Sequence, residues 1–293
     1  MESRPTDTQQ MASPTLRQHI LISDTVSEFN EDCATVTDEA AWVLDGATGI
    51  TDDTFTEAPS DGHWYVREFD RYLREHVADT SKSLTAHAET AIQELRGRFD
   101  TFAPLDSIDP AAEPSATGVI VRWIDGVLEY YVLCDSTLMV VDDDHLTRHT
   151  DRRIESLETA AKSKLRHLKS DGIDHATARQ QVLPVLRENR RQKNTKDAYW
   201  VLSFDPEAAK QGLTGQYELP VTAYLFSDGF GRLVETYDVY PDWDAAITDI
   251  EHQGVESALE TIREIERDDP NADEYLRLKA ADDVTVVKLV FGE

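Results

Sequence analysis

The fold is decided by residues 30–49, NEDCATVTDEAAWVLDGATG. Two short apolar runs flank the polar residues 37–39 in this stretch, a pattern that predicts a β-hairpin. Acidic residues stand before its first strand and directly after its second strand. The carboxylates of Glu31, Asp32 and Asp45 are therefore expected at the same end of the hairpin.

Two later segments repeat this arrangement of an apolar strand next to an acid. The apolar run 221–226 stops at Asp228, and Asp282 and Asp283 stand directly before the apolar run 284–290. If these strands run antiparallel in packed sheets, their acids meet those of the hairpin at one edge. Clustered carboxylates repel one another and raise each other's pKa unless a cation joins them. The sequence therefore predicts a site for a hard divalent metal ion.

The order of the predicted elements indicates one domain. A chain of 293 residues can form one large domain or two small ones, but acids from both halves contribute to the expected site. Residues 1–17 are polar and are predicted to be a disordered leader. Residues 18–293 are predicted to form an α+β domain of stacked layers, with a helical insertion at about 151–194.

Strands are also predicted between residues 115 and 141 and at residues 199–203. Asp125-Gly126 is typical of a tight hairpin turn, so Asp125 is interpreted as structural. Asp135 follows the next strand at its opposite end and is predicted to reach the acidic edge. Cys33 and Cys134 lie in predicted strands and are interpreted as small buried apolar residues, in preference to redox or metal-binding groups.

The net charge of the chain disfavours some classes of binding partner. Lys and Arg number 29 against 57 Asp and Glu, which gives a formal charge of -28. Nucleic acids and anionic membranes are therefore poor partners. The acids are spread along the whole chain, as suits a cytoplasm of high salt, and no apolar run reaches the length of a membrane span. We expect a cytoplasmic protein from a halophilic source.

The most basic segment is residues 187–193, at the end of a predicted helix. One interpretation is a solvated helix end whose cations favour the helix dipole. The other is a phosphate-binding patch beside the metal site, with Arg190 and Arg191 as substrate-binding residues. A single run of charge does not decide between the two.

An ordered set of motifs resembles the metal-dependent serine/threonine protein phosphatases of the type 2C, or PPM, class. The motifs are Asn30-Glu31-Asp32, Asp45-Gly46 with Gly49, Ser115-Ala116-Thr117, Cys134-Asp135-Ser136, Ser227-Asp228-Gly229 and Asp282-Asp283-Val284-Thr285. The resemblance covers about residues 18 to 291 and indicates a divergent prokaryotic, haloarchaeal member. It implies a four-layer α-β-β-α sandwich, in which two antiparallel sheets are each covered by a helix pair.

The resemblance also implies the ligands of two Mg²⁺ or Mn²⁺ ions. Asp45 bridges both ions and the Gly46 carbonyl binds one of them. Asp228 and Asp282 bind the other ion. The remaining implied contacts are with metal-bound waters, through Glu31 and Asp32, and with a third, weaker ion, through Asp135. A metal-bridging water then serves as the nucleophile, and no side chain is assigned as catalytic.

Three positions depart from the family pattern. Ser27 replaces an Arg that grips phosphate, Ala47 replaces a His that protonates the leaving group, and Arg232 replaces an Asp that supports an extra metal. The expected function is hydrolysis of phosphomonoesters, either phosphoproteins or small molecules, with aryl phosphates favoured because their leaving groups need little protonation. The alternative is a regulatory or binding module of the same fold with weak catalysis.

Overall fold

The structure is a computed structural model that describes residues 14–292. Its strands in chain order are β1 (Thr15–Asp24), β2 (Asp32–Val36), β3 (Ala40–Ala47), β4 (Ser115–Ile124), β5 (Val127–Leu133), β6 (Thr137–Asp142), β7 (His145–His149), β8 (Leu213–Glu218), β9 (Thr222–Phe226) and β10 (Val284–Gly292). Its α-helices are α1 (Asp61–His76), α2 (Leu84–Phe99), α3 (Glu155–Ser170), α4 (His175–Arg191), α5 (Asp228–Glu235), α6 (Trp243–Gln253) and α7 (Val255–Asp268). Short 3₁₀ helices cover Leu105–Ser107 and Pro206–Gln211.

The strands form two five-stranded antiparallel sheets. One has the order β1-β10-β9-β6-β7 and the other the order β2-β3-β4-β5-β8. Helices cover the outer faces, which confirms the predicted α+β sandwich. Most of the predicted leader, residues 1–13, lies outside the described residues, and β1 already begins at Thr15, three residues before the predicted domain boundary.

The central strands are apolar throughout because both of their faces are buried. In β3, Ala41 and Val43 face the core between the two sheets. Trp42 and Leu44 face the core between the sheet and its helices. Successive side chains of a strand point to opposite faces, so a strand in the middle of four layers needs an unbroken apolar run.

The two outer layers differ in size. Helices α1 and α2 cover the sheet that contains β3, and each begins at a serine whose side chain accepts a hydrogen bond from the first turn, Ser60 and Ser83. On the other sheet, α6 and α7 pack together with the short α5. The predicted helix pair is present on each sheet, α1 with α2 and α6 with α7, and the short α5 is added on the second side.

Helices α3 and α4 occupy the segment predicted as a helical insertion. They meet at the predicted break beside Gly172, whose φ of 81° suits a glycine. Their contact forms a small apolar core of its own around Leu165 and Val182. Pro184 lies inside α4 without ending it. None of the helices between residues 14 and 292 is both long and apolar enough to cross a membrane.

The strands differ from the sequence prediction at three segments. Residues 199–203 form only one β-bridge, between Leu202 and Ala116. Their apolar character reflects burial in the cores, which does not require a ladder of hydrogen bonds. The sequence did not predict β7 and β8, because both are polar edge strands without an apolar alternation. The β4–β5 turn is as predicted, with positive φ at both Asp125 and Gly126.

Candidate functional site

The topology brings the predicted acids to one edge of the sandwich. Asp32 and Asp45 stand opposite each other in the β2–β3 ladder. Asp228 follows β9, and Asp282 precedes β10, which runs antiparallel to β9. These four positions therefore share one end of the sheets, while the Asp125 turn lies at the other end.

A cavity of about 700 Å³ opens at this edge. The predicted site residues that line it are Glu31, Asp45, Gly46, Asp135, Asp228, Asp282 and Arg190. Asp32 lies behind this lining and is only 2% exposed. The structure thus gathers acids that are far apart in the sequence, as the strand pattern predicts.

Hydrogen bonds across the two sheets hold the innermost acid in place. The Ser227 hydroxyl donates to Asp32 Oδ2 at 2.8 Å. The backbone N–H of Thr285 donates to the Ser227 oxygen at 3.1 Å. Asp32 belongs to one sheet and Thr285 to the other, so this chain of contacts fixes how the sheets meet at the site.

Glu31 is positioned by Asp283, which is not among the metal ligands that the resemblance implies. Its backbone N–H donates to Asp283 Oδ2 at 2.8 Å. Its own Oε1 accepts hydrogen bonds from the hydroxyls of Thr48 and Ser60. Asp283 therefore ties the start of β10 to the start of β2, a role that no local pattern reveals because the partners are 252 residues apart.

The glycine of the Asp45-Gly46 motif is required by close packing. Its N–H donates to the Glu31 carbonyl at 3.1 Å. A Cβ at Gly46 would lie 2.5 Å from that carbonyl oxygen. The backbone of β3 therefore approaches the Glu31 segment more closely than any larger residue allows, which leaves the Gly46 peptide on the cavity wall.

The buried carboxylates in the cavity raise one another's pKa. Burial raises the pKa of Asp45 well above its ordinary value, and the carboxylates around it raise the pKa further. Burial also raises the pKa of Asp32 to about 7, against the opposing hydrogen bond from Ser227. Such acids favour an added cation, because a positive charge removes both the burial cost and the mutual repulsion.

Asp135 has an unsatisfied carboxylate oxygen at the cavity. Its Oδ1 atom is buried and has no hydrogen-bond partner. Burial, followed by the charge of Asp228, raises its pKa to about 8. Glu158, on α3 at the cavity wall, adds to this effect. An isolated acid on a helix gave no signal in the sequence, so the contribution of Glu158 was not predicted.

Asp282 lies in a different electrostatic environment. Arg232 Nη2 lies 2.5 Å from its Oδ2, and Lys279 Nζ lies 2.7 Å from its Oδ1. Burial acts to raise the pKa of Asp282, but Lys279 and Arg232 outweigh it and hold the pKa below its ordinary value.

Among residues 14–292, no three His, Cys, Asp or Glu side chains are arranged closely enough to chelate a metal ion.

The two arginines predicted to bind substrate are separated by the fold. Arg190 lines the cavity, and its Nη1 lies 3.4 Å from the carbonyl oxygens of Ala47 and Thr48. Arg191 points away and pairs with Asp109 at 2.6 Å. Successive residues of a helix point in different directions, so the substrate-binding prediction is corrected for Arg191 and stays a prediction for Arg190.

The remaining predictions near the site concern small residues. Cys33 and Cys134 are free and buried, as interpreted from the sequence, and burial raises the pKa of the Cys33 thiol to about 12. Ala47 lines the cavity, where a histidine was expected from the resemblance. Ser27 is exposed in the loop between β1 and β2.

The architecture is that of the PPM-type serine/threonine phosphatases. One similar structure is the phosphatase PstP/Ppp of Mycobacterium tuberculosis, with 15% identity, a TM-score of 0.56 and coverage of 93% of this chain and 97% of that chain. The catalytic domain of PstP in complex with two manganese ions is similar as well, with 15% identity, a TM-score of 0.56 and coverage of 96% and 100%. Stp1 of Staphylococcus aureus has 13% identity, a TM-score of 0.56 and complete coverage of both chains.

By sequence alone, no protein-family model matches the chain and no curated protein matches it. At 12 to 15% identity, the structural neighbours establish a common fold. The chemistry of this chain therefore depends on the residues of its own cavity.

Proposed function

We propose that the chain is a divalent-metal-dependent phosphomonoester hydrolase that acts on phosphoproteins. The observation that carries this proposal is the cavity in which Asp45, Asp135, Asp228 and Asp282 meet on a phosphatase fold. A fold that only bound a partner would gain nothing from gathering so many repelling carboxylates. Catalysis of phosphoryl transfer by metal ions requires such oxygen ligands.

The donors on the Asp45 side of the cavity suit a divalent cation held by fewer than three side-chain carboxylates, with a backbone carbonyl and waters completing its coordination. The donors there are the Asp45 carboxylate, the Gly46 carbonyl and the unpartnered Oδ1 of Asp135, with Asp228, Glu31 and Asp32 as further oxygen donors or holders of ordered water. When bound, Mg²⁺ or Mn²⁺ would lower the pKa of a coordinated water and neutralise charge on the phosphate. Both ions accept carboxylate and water ligands.

Several groups of the chain itself prepare this side of the cavity. Ser227 holds Asp32 behind Asp45, which keeps the negative charge concentrated at the cavity floor. Within residues 14–292, Arg190 makes only long contacts of 3.4 Å, with two carbonyl oxygens and with the Ser115 hydroxyl. Its guanidinium therefore has donors left with which to bind a phosphate oxygen at the cavity mouth.

A second candidate function is a regulatory module that binds a phosphoprotein without turnover. The observation in its favour is the ion pairing of Asp282 with Arg232 and Lys279, together with Ala47 and Ser27 at two positions of the family pattern. The two candidates differ in one property, which is hydrolysis that depends on added metal.

An assay with Mn²⁺ separates them. We expect the purified chain to hydrolyse an aryl phosphate only when Mn²⁺ or Mg²⁺ is present, and to act on a phosphoserine peptide more slowly. Asp228→Asn should abolish most of this activity. Asp125→Asn is the matched control, because Asp125 lies in the turn at the far end of the sheets. Binding of the phosphopeptide without hydrolysis under any metal would support the regulatory module.

The surface charge leads to a further part of the proposal, the cellular environment of the protein. A formal charge of -28 suits a cytoplasm of high salt, because screening suppresses self-repulsion. We place the protein in the cytoplasm of a halophilic, haloarchaeal cell. Multimolar KCl is then expected to raise the melting temperature of the chain, and equal stability at low and multimolar KCl contradicts this part of the proposal.

A further inference from the structure

The Asp282 side of the cavity already contains two positive charges. The two oxygens of Asp282 are each paired with a different cation, Oδ2 with Arg232 at 2.5 Å and Oδ1 with Lys279 at 2.7 Å. Together these side chains carry the charge of one divalent ion. Both also line the cavity, as Asp228 does.

Arg232 is held where it is by contacts on its far side. Its side chain is only 9% exposed, and its Nη1 lies 3.2 Å from Oε1 of Glu266, which is 4% exposed. The Tyr237 hydroxyl donates to the same Glu266 oxygen at 3.1 Å. If Arg232 moved away to admit a metal ion, Glu266 would lose a buried partner, which is unfavourable.

The region around Asp282 is further tied down by Arg263. Its Nη1 donates to the Asp282 carbonyl at 2.8 Å, and its Nε donates to Asp24 at 2.7 Å. Arg263 also pairs with the second oxygen of Glu266. Arg232 is thus one part of a network that joins α5, α7 and the start of β10, and it is the shared partner of Glu266 and Asp282.

Lys279 is less constrained. Its side chain is 52% exposed, so it can leave Asp282 at small cost. Its departure alone would free only one oxygen of that carboxylate, with the Arg232 guanidinium still against the other. A divalent ion placed there would face a fixed positive charge at short range, which is strongly repulsive in a partly buried site.

The Asp45 side has no such cations. Across the part of the chain that the structure describes, no Lys, Arg or His forms an ion pair with Asp45, Asp135 or Asp228. The orphaned Oδ1 of Asp135 lies on this side. The cavity therefore has one half whose carboxylates form no ion pair and one half whose carboxylate is paired with two cations, although Arg232 and Lys279 also act on Asp228 at longer range.

We propose that Arg232 and Lys279 replace one of the two divalent ions, so that the chain binds a single ion, at the Asp45 side. This inference rests on the proposed function, because it assumes that the cavity binds a metal. It departs from the two-ion arrangement implied by the resemblance and present in the PstP complex. Asp282 is then a structural carboxylate that anchors the two protein cations.

The test is the number of ions bound by the folded chain, which does not depend on activity. We would titrate the metal-free protein with Mn²⁺ by calorimetry and record the electron paramagnetic resonance spectrum at saturation. We expect one ion per chain and the spectrum of an isolated Mn²⁺. Two bound ions with an exchange-coupled spectrum would overturn the inference and leave the proposed function intact. Absence of Mn²⁺ binding would overturn the proposed function, and this inference with it.

Variants provide a second, independent measurement. The double variant R232Q/K279A removes both cations, and we expect it to bind a second Mn²⁺. The milder variant K279A retains the fixed charge of Arg232 and is expected to bind one ion still. R191Q is the matched control, because Arg191 pairs with Asp109 outside the cavity. A second ion in K279A or R191Q, or a single ion in a folded R232Q/K279A, contradicts the assignment.

Discussion

The two sides of the cavity contain similar carboxylates in opposite surroundings. On one side, Asp45 and Asp135 are crowded by other acids, and burial raises the pKa of each. On the other side, Asp282 has a cation on each oxygen and its pKa is lowered. The comparison shows that carboxylates at one sheet edge divide into a group without counterions and a group that already has them.

Carboxylates on the side without counterions should matter for activity, and the paired carboxylate on the other side should matter for stability. A carboxylate without a counterion costs folding free energy and is retained only if its charge serves a function. A buried carboxylate between two cations supports the fold, because removal of one member leaves the others unpaired. Substitutions on the two sides should therefore have opposite consequences for activity and for stability.

The largest effect is expected for Asp45→Asn. Loss of this carboxylate should lower Mn²⁺-dependent hydrolysis of an aryl phosphate by about 100-fold or more. The free energy of unfolding of the metal-free chain should stay the same or rise, since a repelled buried charge has been removed. Urea denaturation beside the activity assay measures both. A variant that loses stability and keeps its activity would reverse the roles of the two sides.

Arg232→Ala should have the opposite profile. It leaves Asp282 and Glu266 buried without their shared partner, so we expect the free energy of unfolding to fall by about 3 kcal/mol. Lys279→Ala is the matched comparison. Lys279 is 52% exposed, so its loss should cost less than about 1 kcal/mol. Equal costs for the two variants would show that the network around Glu266 does not hold Arg232.

The pH dependence of the metal-free chain tests the Asp45 side. The folded-state pKa values of Asp32 and Asp135 are raised to about 7 and about 8. Between about pH 4 and pH 8 the folded chain therefore binds more protons than the unfolded chain, so the free energy of unfolding falls as pH rises. We expect a loss of more than about 2 kcal/mol from pH 5 to pH 8, because each of the two groups alone contributes about that much.

Two controls sharpen this measurement. Saturating Mn²⁺ should remove most of the pH dependence, because a bound cation compensates the ionised carboxylates. Asp135→Asn should flatten the profile without metal. A metal-free chain that becomes more stable from pH 5 to pH 8 would contradict the raised pKa values on this side.

The smallest effect is expected at the cavity mouth. Arg190→Ala should raise KM for a phosphorylated substrate by about tenfold, the value of one charge-assisted hydrogen bond, and change kcat little. Arg191→Ala provides the control, since its partner Asp109 lies outside the cavity. Steady-state kinetics that show the same KM for both variants would exclude Arg190 as a phosphate-binding residue.

The strand pattern was sufficient to predict the acidic edge. Asp45, Asp228 and Asp282 each stand next to an apolar run, and they meet at one edge if the strands run antiparallel in packed sheets, as they do here. The polar edge strands β7 and β8 were not predictable in this way. They pair through backbone groups, and their side chains face water on an edge where no apolar alternation is needed.

The contacts around the site were less predictable than the acidic edge, because they join distant parts of the chain. The role of Asp283 in holding Glu31 depends on residues 252 positions apart, and only the packed sheets bring them together. Arg190 and Arg191 were equivalent in the sequence, and the rotation between successive helical residues decided which one reaches the cavity. Lys279 stands three residues before Asp282, a spacing that is too common to be noticed outside a defined fold.

The sequence by itself determined that acids converge at one end of a layered α+β sandwich, because apolar periodicity and strand direction are local properties of the chain. Only the tertiary structure decided which of these acids lack counterions and which are paired. That distinction depends on distances between side chains such as Arg232 and Asp282, which are 50 residues apart and meet only when α5 packs beside β10. Electrostatic interaction falls with distance in space, and the order of residues along a chain does not specify that distance.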